Sequence, residues 1–230
     1  MSQNTPVENN SKPIPAIVAT DIVLFSLSPK KGLIFLAITI NHKGYYENKI
    51  GLPGGLINKD ETAEESVIRN LIQKSGFSSK PYLEQLITMS ALERDPRSRV
   101  VSVAYLGLIN QNILEKEILN KDTYWEEVKN NKKLAFDHKD ILEIAIQRLK
   151  SKIQYSTIIK FLLPKEFTLS ELQNAYETIL ESKIDKRNFR KKILSQNILE
   201  DTKKKLSGFK YRPAATYIFK SKNIQNINMF

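Results

Sequence analysis

The stretch from Gly51 to Phe77 constrains this chain more than any other. Gly51-Leu52-Pro53-Gly54-Gly55 is dense in breakers and reads as a loop. Beyond it Asp60 is placed to cap a helix running to about Ser75, with Ala63, Val67 and Leu71 recurring every four positions. Thr62 and Glu65 have the spacing of a capping box, and Gly76 supplies the stop.

Strand patterns flank this unit. Ala16 to Leu27 and Gly32 to Asn41 are rich in Val and Ile, and the Pro29–Gly32 turn between them predicts a hairpin. Leu83 to Leu92 and Val100 to Ile109 read as two more strands, separated by the charged turn Glu93–Arg99. Tyr124 to Val128, which holds the single tryptophan, reads as a short helical or irregular piece. Asp137 is placed to cap a helix from His138 to about Lys150. From there the periodicity is helical over Ile153–Leu163, Thr168–Leu180 and Lys186–Gln196. Two short strands follow, Ile198–Thr202 and Ala215–Lys220. The expected organisation is a disordered lead over 1–15, a mixed α/β domain over 16–150 and a smaller domain over 151–230.

Charge divides the chain at the same place. Residues 1–150 carry 20 basic and 18 acidic side chains, a net of +2; residues 151–230 carry 16 and 7, a net of +9. A basic domain joined to a nearly neutral one suggests a polyanion partner for that part alone. With no cysteine, disulfides, thiolate metal sites and a cysteine nucleophile are excluded; two histidines, His42 and His138, make a histidine-rich metal site unexpected. The start shows no basic-then-apolar signal, and the apolar run Gly32–Ile40 is too short to span a bilayer. The expectation is a cytoplasmic protein with no membrane contact.

The stretch GGLINKDETAEESVIRNLIQKSGF, Gly54 to Phe77, resembles the Nudix box. Gly55, Glu61, Arg69, Leu71 and Gly76 fall on the pattern, and Phe77 supplies its bulky apolar end. The three carboxylates that hold magnesium or manganese in that family fall here on Asn70, Gln73 and Lys74. Positions i, i+3 and i+4 share a helix face, so the family's carboxylates converge on one ion. Hard cations want oxygen ligands, preferably charged, and Lys74 would put a positive charge where the ion should sit. Like unit charges ~4 Å apart repel by about 4 kcal/mol at an effective dielectric of about 20. The expectation is therefore a Nudix-like domain with no catalytic residue, no cofactor and no metal, which binds a nucleotide instead.

The resemblance extends to RDPRSRVVSVAYLGL (Arg94–Leu108) and LAFDHKDIL (Leu134–Leu142), which look like the corresponding parts of Nudix proteins acting on ADP-ribose. Arg94, Arg97 and Arg99 are then candidate phosphate ligands beside Gly55, Glu61 and Arg69. A turn salt-bridged to Glu93 and Asp95 is the other reading of those arginines. His138 reads as a helix-start residue rather than a base, and Trp125 as core rather than a stacking platform.

In the last third, Thr168-x-x-Glu171 forms a capping box ahead of Leu169, Leu172, Tyr176 and Ile179 on one helix face. Asp185 is placed to cap a second helix, with Phe189 and Ile193 inward and Lys186, Arg187, Asn188, Arg190 and Lys191 outward. This is helix-turn-helix logic: one helix braces and the next presents donors to a groove. Asn188 and Arg190 suit base edges, and the lysines suit phosphates. The hairpin beyond adds Lys203, Lys204, Lys205, Lys210 and Arg212, as a basic wing would.

FTLSELQNAYETILESKIDKRNFRKKIL with YRPAATYIF downstream is similar to the winged-helix half of the Nudix-related regulators of NAD metabolism, the NrtR type. The resemblance implies an α/β/α Nudix-like sandwich with a mixed sheet, followed by a C-terminal winged helix. It also implies a repressor of NAD-biosynthesis genes, released from double-stranded DNA by ADP-ribose. A homodimer on a near-palindromic operator would fit such a repressor. The alternatives are a divergent Nudix hydrolase acting on ADP-ribose-like substrates, and an RNA-binding protein.

Overall fold

A computed structural model describes residues 15–42, 44–114, 116–130, 134–206 and 214–229. Apart from Pro15, the expected N-terminal lead lies outside these, as do Lys210 and Arg212 of the wing. Strands β1 (Ile17–Ser28), β2 (Gly32–His42), β3 (Tyr46–Gly51), β4 (Gly54–Leu56), β5 (Tyr82–Met89), β6 (Val100–Leu108) and β7 (Thr123–Glu127) form one mixed sheet. Its order is β3-β2-β1-β6-β5; β4 pairs with β1 and β7 with β2. β1 is central, parallel to β6 and antiparallel to β2 and β4.

Alternation along β1 sorts the core into two layers. Ile22 and Leu24 pack with Val67, Leu71 and Phe77 under helix α1 (Ala63–Ser75). Val23 and Phe25 pack on the other face with Ile141, Leu142, Ala145 and Leu149 of helix α3 (His138–Tyr155). The result is an α/β/α sandwich. A one-turn helix α2 (Gln111–Leu114) precedes β7.

Helices α4 (Leu169–Leu180) and α5 (Lys186–Ser195) follow, then β9 (Leu199–Leu206) and β10 (Ala214–Phe219), which pair with the two-residue β8 (Phe167–Thr168) in the order β8-β10-β9. This is a winged helix. Its core is continuous with the sandwich: Leu149 and Ile153 of α3, Ile158 and Leu162 beyond it, and Leu172, Tyr176, Phe189 and Ile193 form one buried cluster.

Three local expectations change. Tyr124–Val128 is mostly strand, because β7 pairs with β2 from Thr123 to Glu127. The strand β3 had no apolar alternation to announce it; its centre, Glu47–Lys49, is exposed. The helical stretch expected over Ile153–Leu163 is the end of α3, which runs past residue 150, followed by a 3-10 segment over Thr157–Phe161.

Candidate functional site

Two expectations for the unit opening at Gly51 also change: Gly51 ends β3 and Gly54–Leu56 is strand β4, in place of the expected loop, and Thr62, not Asp60, is the cap of α1. Thr62 caps α1 with a reciprocal Glu65 capping box, and Gly76 closes it in the left-handed conformation at φ 74°. Strand β4 lies against β1 so that Gly54 faces Asp21 and Gly55 faces Thr20. A Cβ on Gly54 would sit 2.1 Å from Asp21 Oδ1, and one on Gly55 would sit 2.4 Å from Asn70 Oδ1. Only glycine permits this approach.

Glu61 and Arg69 lock the loop to the helix. Arg69 Nε donates to Glu61 Oε2 at 2.8 Å and Nη2 to the Leu56 carbonyl at 2.9 Å; the Asn58 N–H donates to Glu61 Oε1 at 2.7 Å. The Arg69 fork, with help from that N–H, holds the Glu61 carboxyl down at about 2. Neither side chain lines the large cavity beside the sheet.

The three positions that carry carboxylates in Nudix enzymes have separate fates here. Asn70 is buried, its amide donating to Ser66 Oγ at 3.2 Å and, more weakly, Thr20 Oγ1 at 3.4 Å. Gln73 Oε1 accepts from Arg69 Nη1 at 3.2 Å on the outer side. Lys74 alone lines the cavity. Among the described residues no three His, Asp or Glu side chains gather closely enough to hold a metal ion. A divalent cation wants several oxygens, and this set offers two committed amides and an ammonium, so the residues present do not fit one.

The cavity encloses about 710 Å³, within the range of small-molecule sites. Gly54, Gly55, Leu56 and Lys74 line one side; Ile38, Ile40, His42 and Phe136 line another; Asp21, Arg94 and His138 form its floor. Phe136 is held at φ 53°, a conformation disfavoured for aromatic residues, beside Tyr46 at 4.3 Å between ring centroids.

The floor is a buried polar network. Arg94 Nε and Nη2 donate to the two oxygens of Asp137 at 2.8 and 2.7 Å, and Nη2 also reaches Asp21 Oδ2 at 3.3 Å. Ser102 Oγ donates to Asp21 Oδ2 at 2.6 Å. His138 Nδ1 accepts from the Leu52 N–H at 2.9 Å, which leaves its Nε2 proton facing Asp21 Oδ1 at 3.5 Å. Burial raises the Asp21 pKa, but His138, Ser102 and Arg94 outweigh it and hold the carboxyl below its usual value.

Of the arginines singled out in sequence, Arg94 and Arg97 line the cavity and Arg99 does not. Arg94 is paired on both sides within the floor. Arg97 forks onto Asp95 at 2.9 and 2.7 Å and stacks over Phe136 at 5.2 Å, close to His42. Arg99 turns away to the carbonyls of Ser90 and Ala91, each at 3.0 Å. Glu93 plays no part in these pairs. Asp137 starts α3 but its side chain caps nothing, because Arg94 holds the carboxylate. His138 begins the helix and also faces the cavity. Trp125 packs on the core under α1, edge-on to Phe77. Sequence reading missed Asp21; an acid inside the apolar run IVATDIVLF was the available signal.

In the winged helix, the Thr168–Glu171 capping box opens α4, and the Asp185 side chain accepts from the Asn188 N–H at 2.8 Å to open α5. Phe189 and Ile193 are buried; Lys186, Arg187, Asn188, Arg190 and Lys191 are all exposed on the outer face. Lys204 is exposed and meets Glu166 at 2.8 Å.

A Nudix-type sandwich sharing its core with a winged helix defines a two-domain transcriptional regulator. Residues 159–219 match the family described as the NrtR DNA-binding winged helix domain. The chain is 35% identical over 211 residues to the ADPR responsive transcriptional repressor NtrR of Acinetobacter baylyi, covering 88% of this chain and 82% of that one. It superimposes on Shewanella oneidensis NrtR complexed with a 27mer DNA with a TM-score of 0.77 at 32% identity, over 88% of this chain and 93% of that chain. The Nudix domain of that NrtR complexed with ADP ribose matches at a TM-score of 0.52 and 29% identity, over 64% of this chain and 99% of that one. The chain belongs to the NrtR family of Nudix-related transcriptional regulators. Among the described residues no helix is long and apolar enough to cross a membrane.

Proposed function

We propose that this protein is a transcriptional repressor that binds duplex DNA through α5 and the wing and releases it on binding ADP-ribose, which it does not hydrolyse. The observation that carries this reading is an intact polar cavity whose only contribution from the three former carboxylate positions is Lys74. His42 and Phe136 offer flat surfaces for a base; Lys74, Arg97 and Gly55 line the same cavity for a diphosphate. The working form is a cytoplasmic homodimer, its two copies of α5 reading two half-sites. Helix α3 is the physical link: Asp137, just before it, holds Arg94 of the cavity floor, its first residue His138 lines the cavity, and Ile153 near its far end packs in the shared core. Eighteen residues span about 27 Å. Release requires only that ADP-ribose favour one arrangement of this unit over the DNA-competent one.

The test uses a duplex selected from a random pool by the protein itself. ADP-ribose is expected to lower the fraction bound, and incubation of ADP-ribose with magnesium is expected to form no AMP. Magnesium-dependent turnover abolished by Glu61→Gln would favour the divergent-hydrolase reading. Tighter binding of single-stranded RNA than of duplex DNA at physiological salt would favour the RNA-binding one.

A further inference from the structure

Lys74 ends α1 on the cavity side, and its position is fixed from two directions. Its carbonyl accepts from Asn120 Nδ2 at 3.1 Å and from Thr123 Oγ1 at 3.4 Å. These bonds press the helix end against the turn that carries Lys121, and both lysines line the cavity. The charge of Arg94 is answered by Asp21 and Asp137, and that of Arg97 by Asp95. Among the described residues neither Lys74 nor Lys121 forms an ion pair with a carboxylate. Among the described residues the unpaired charges lining this cavity are therefore the Lys74 and Lys121 ammonium groups and, of opposite sign, the Asp122 carboxylate, which leaves a net positive charge. The field of Lys74 also reaches His42: after burial and Arg97, it is a further cause depressing that imidazole's pKa.

We propose that the Lys74 ammonium, with Lys121 beside it, replaces the divalent cation as counter-charge to a diphosphate, so that a nucleoside diphosphate is bound without metal. This rests on the reading of the cavity as an ADP-ribose site and adds how the anion is held. An ammonium offers three N–H donors and a full charge on a flexible stem, which suits phosphate oxygens. It cannot polarise a bound water into a nucleophile as a metal does. The ammonium at position 74 thus supplies the attraction without the chemistry of a metal. It also sets specificity, because adenosine alone gives the ammonium nothing to bind.

The experiment is calorimetric titration of the full chain with ADP-ribose, ADP and adenosine, in EDTA and then in magnesium. Wild type is expected to bind ADP-ribose within twofold equally in both buffers. Lys74→Met is expected to weaken ADP-ribose and ADP by about ten- to hundredfold, the worth of a charge-assisted hydrogen bond. Adenosine binding should stay unchanged, and Lys74→Arg should recover much of the loss. Tenfold tighter binding in magnesium overturns the proposal, as does Lys74→Met holding ADP as wild type does. Equal loss of adenosine binding in that variant also overturns it, by assigning Lys74 a structural role. If ADP is held through Lys74 in EDTA but ADP-ribose is not, the anion site stands and the choice of effector falls.

Discussion

Arg94 and Asp137, 43 residues apart in sequence, meet in a two-bond fork at 2.8 and 2.7 Å beneath the cavity beside the sheet. Both side chains are almost fully enclosed, at 4% and 11% exposure. Removing one partner from such a pair leaves a buried charge and costs about 3–5 kcal/mol. Asp137→Asn and Arg94→Met should each lower stability by that order, and the double variant by much less than the sum. Urea denaturation of the four proteins supplies the cycle. Additive losses would mean that the fork is not the interaction at stake.

Gly54→Ala should be tolerated poorly, since the new methyl would meet Asp21 Oδ1 and the Thr20 carbonyl at 2.1 and 2.5 Å. Overpacking of this kind costs about 1–3 kcal/mol. A fall in Tm together with weaker ADP-ribose binding is expected. An unchanged Tm would show that β4 can move away from β1.

Acid should weaken the fold through two carboxylates in particular. Glu61 is held at about 2 mainly by Arg69, and Glu177 at about 2 by Lys183, then Gln173 and the Ile184 N–H. A carboxyl depressed on folding adds stability that is full above its unfolded value, 4.5, and is lost as pH falls toward about 2. Glu61→Gln and Glu177→Gln should each flatten the stability–pH curve in that window. Chemical denaturation from pH 6 down to pH 2 reads the slope directly; parallel curves for wild type and both variants would contradict it.

On the DNA side, Lys191→Ala should reduce affinity at all sequences and lower the salt slope by about one. Asn188→Ala should instead relax sequence preference while leaving the slope near wild type. Fluorescence anisotropy over a salt series, with matched and mismatched duplexes, separates the two. Identical behaviour of both variants would show that α5 does not enter a groove in this way.

The chain beyond the wing closes over the junction of α3 and the winged helix. Lys160 Nζ donates to the carbonyls of Lys222 and Asn223, Gln225 and Thr157 exchange hydrogen bonds, and Ile227 and Met229 are buried in the shared core. Ile227→Ala should therefore cost about 2–5 kcal/mol, as other buried large-to-small changes do. Thermal unfolding indistinguishable from wild type would mean that this segment is not anchored in solution.

Sequence alone determined the elements whose signals are local. The capping boxes at Thr62 and Thr168, the Gly76 stop, the apolar spacing of α4 and α5 and the charge step at residue 150 all follow from neighbours a few positions apart. It also carried the spacing from Gly55 to Gly76 that resembles the Nudix box, with Asn70, Gln73 and Lys74 standing at three of its positions. Tertiary structure decided which charges remain free. Arg94 and Lys74 look equally available as text, yet one is enclosed by Asp21 and Asp137 and the other faces the cavity. That outcome depends on β1, the turn after β5 and the start of α3 converging from positions 21, 94 and 137. No periodicity encodes such a meeting, because hydrogen-bond partners far apart in sequence are chosen by the packing of the sheet and not by local propensity.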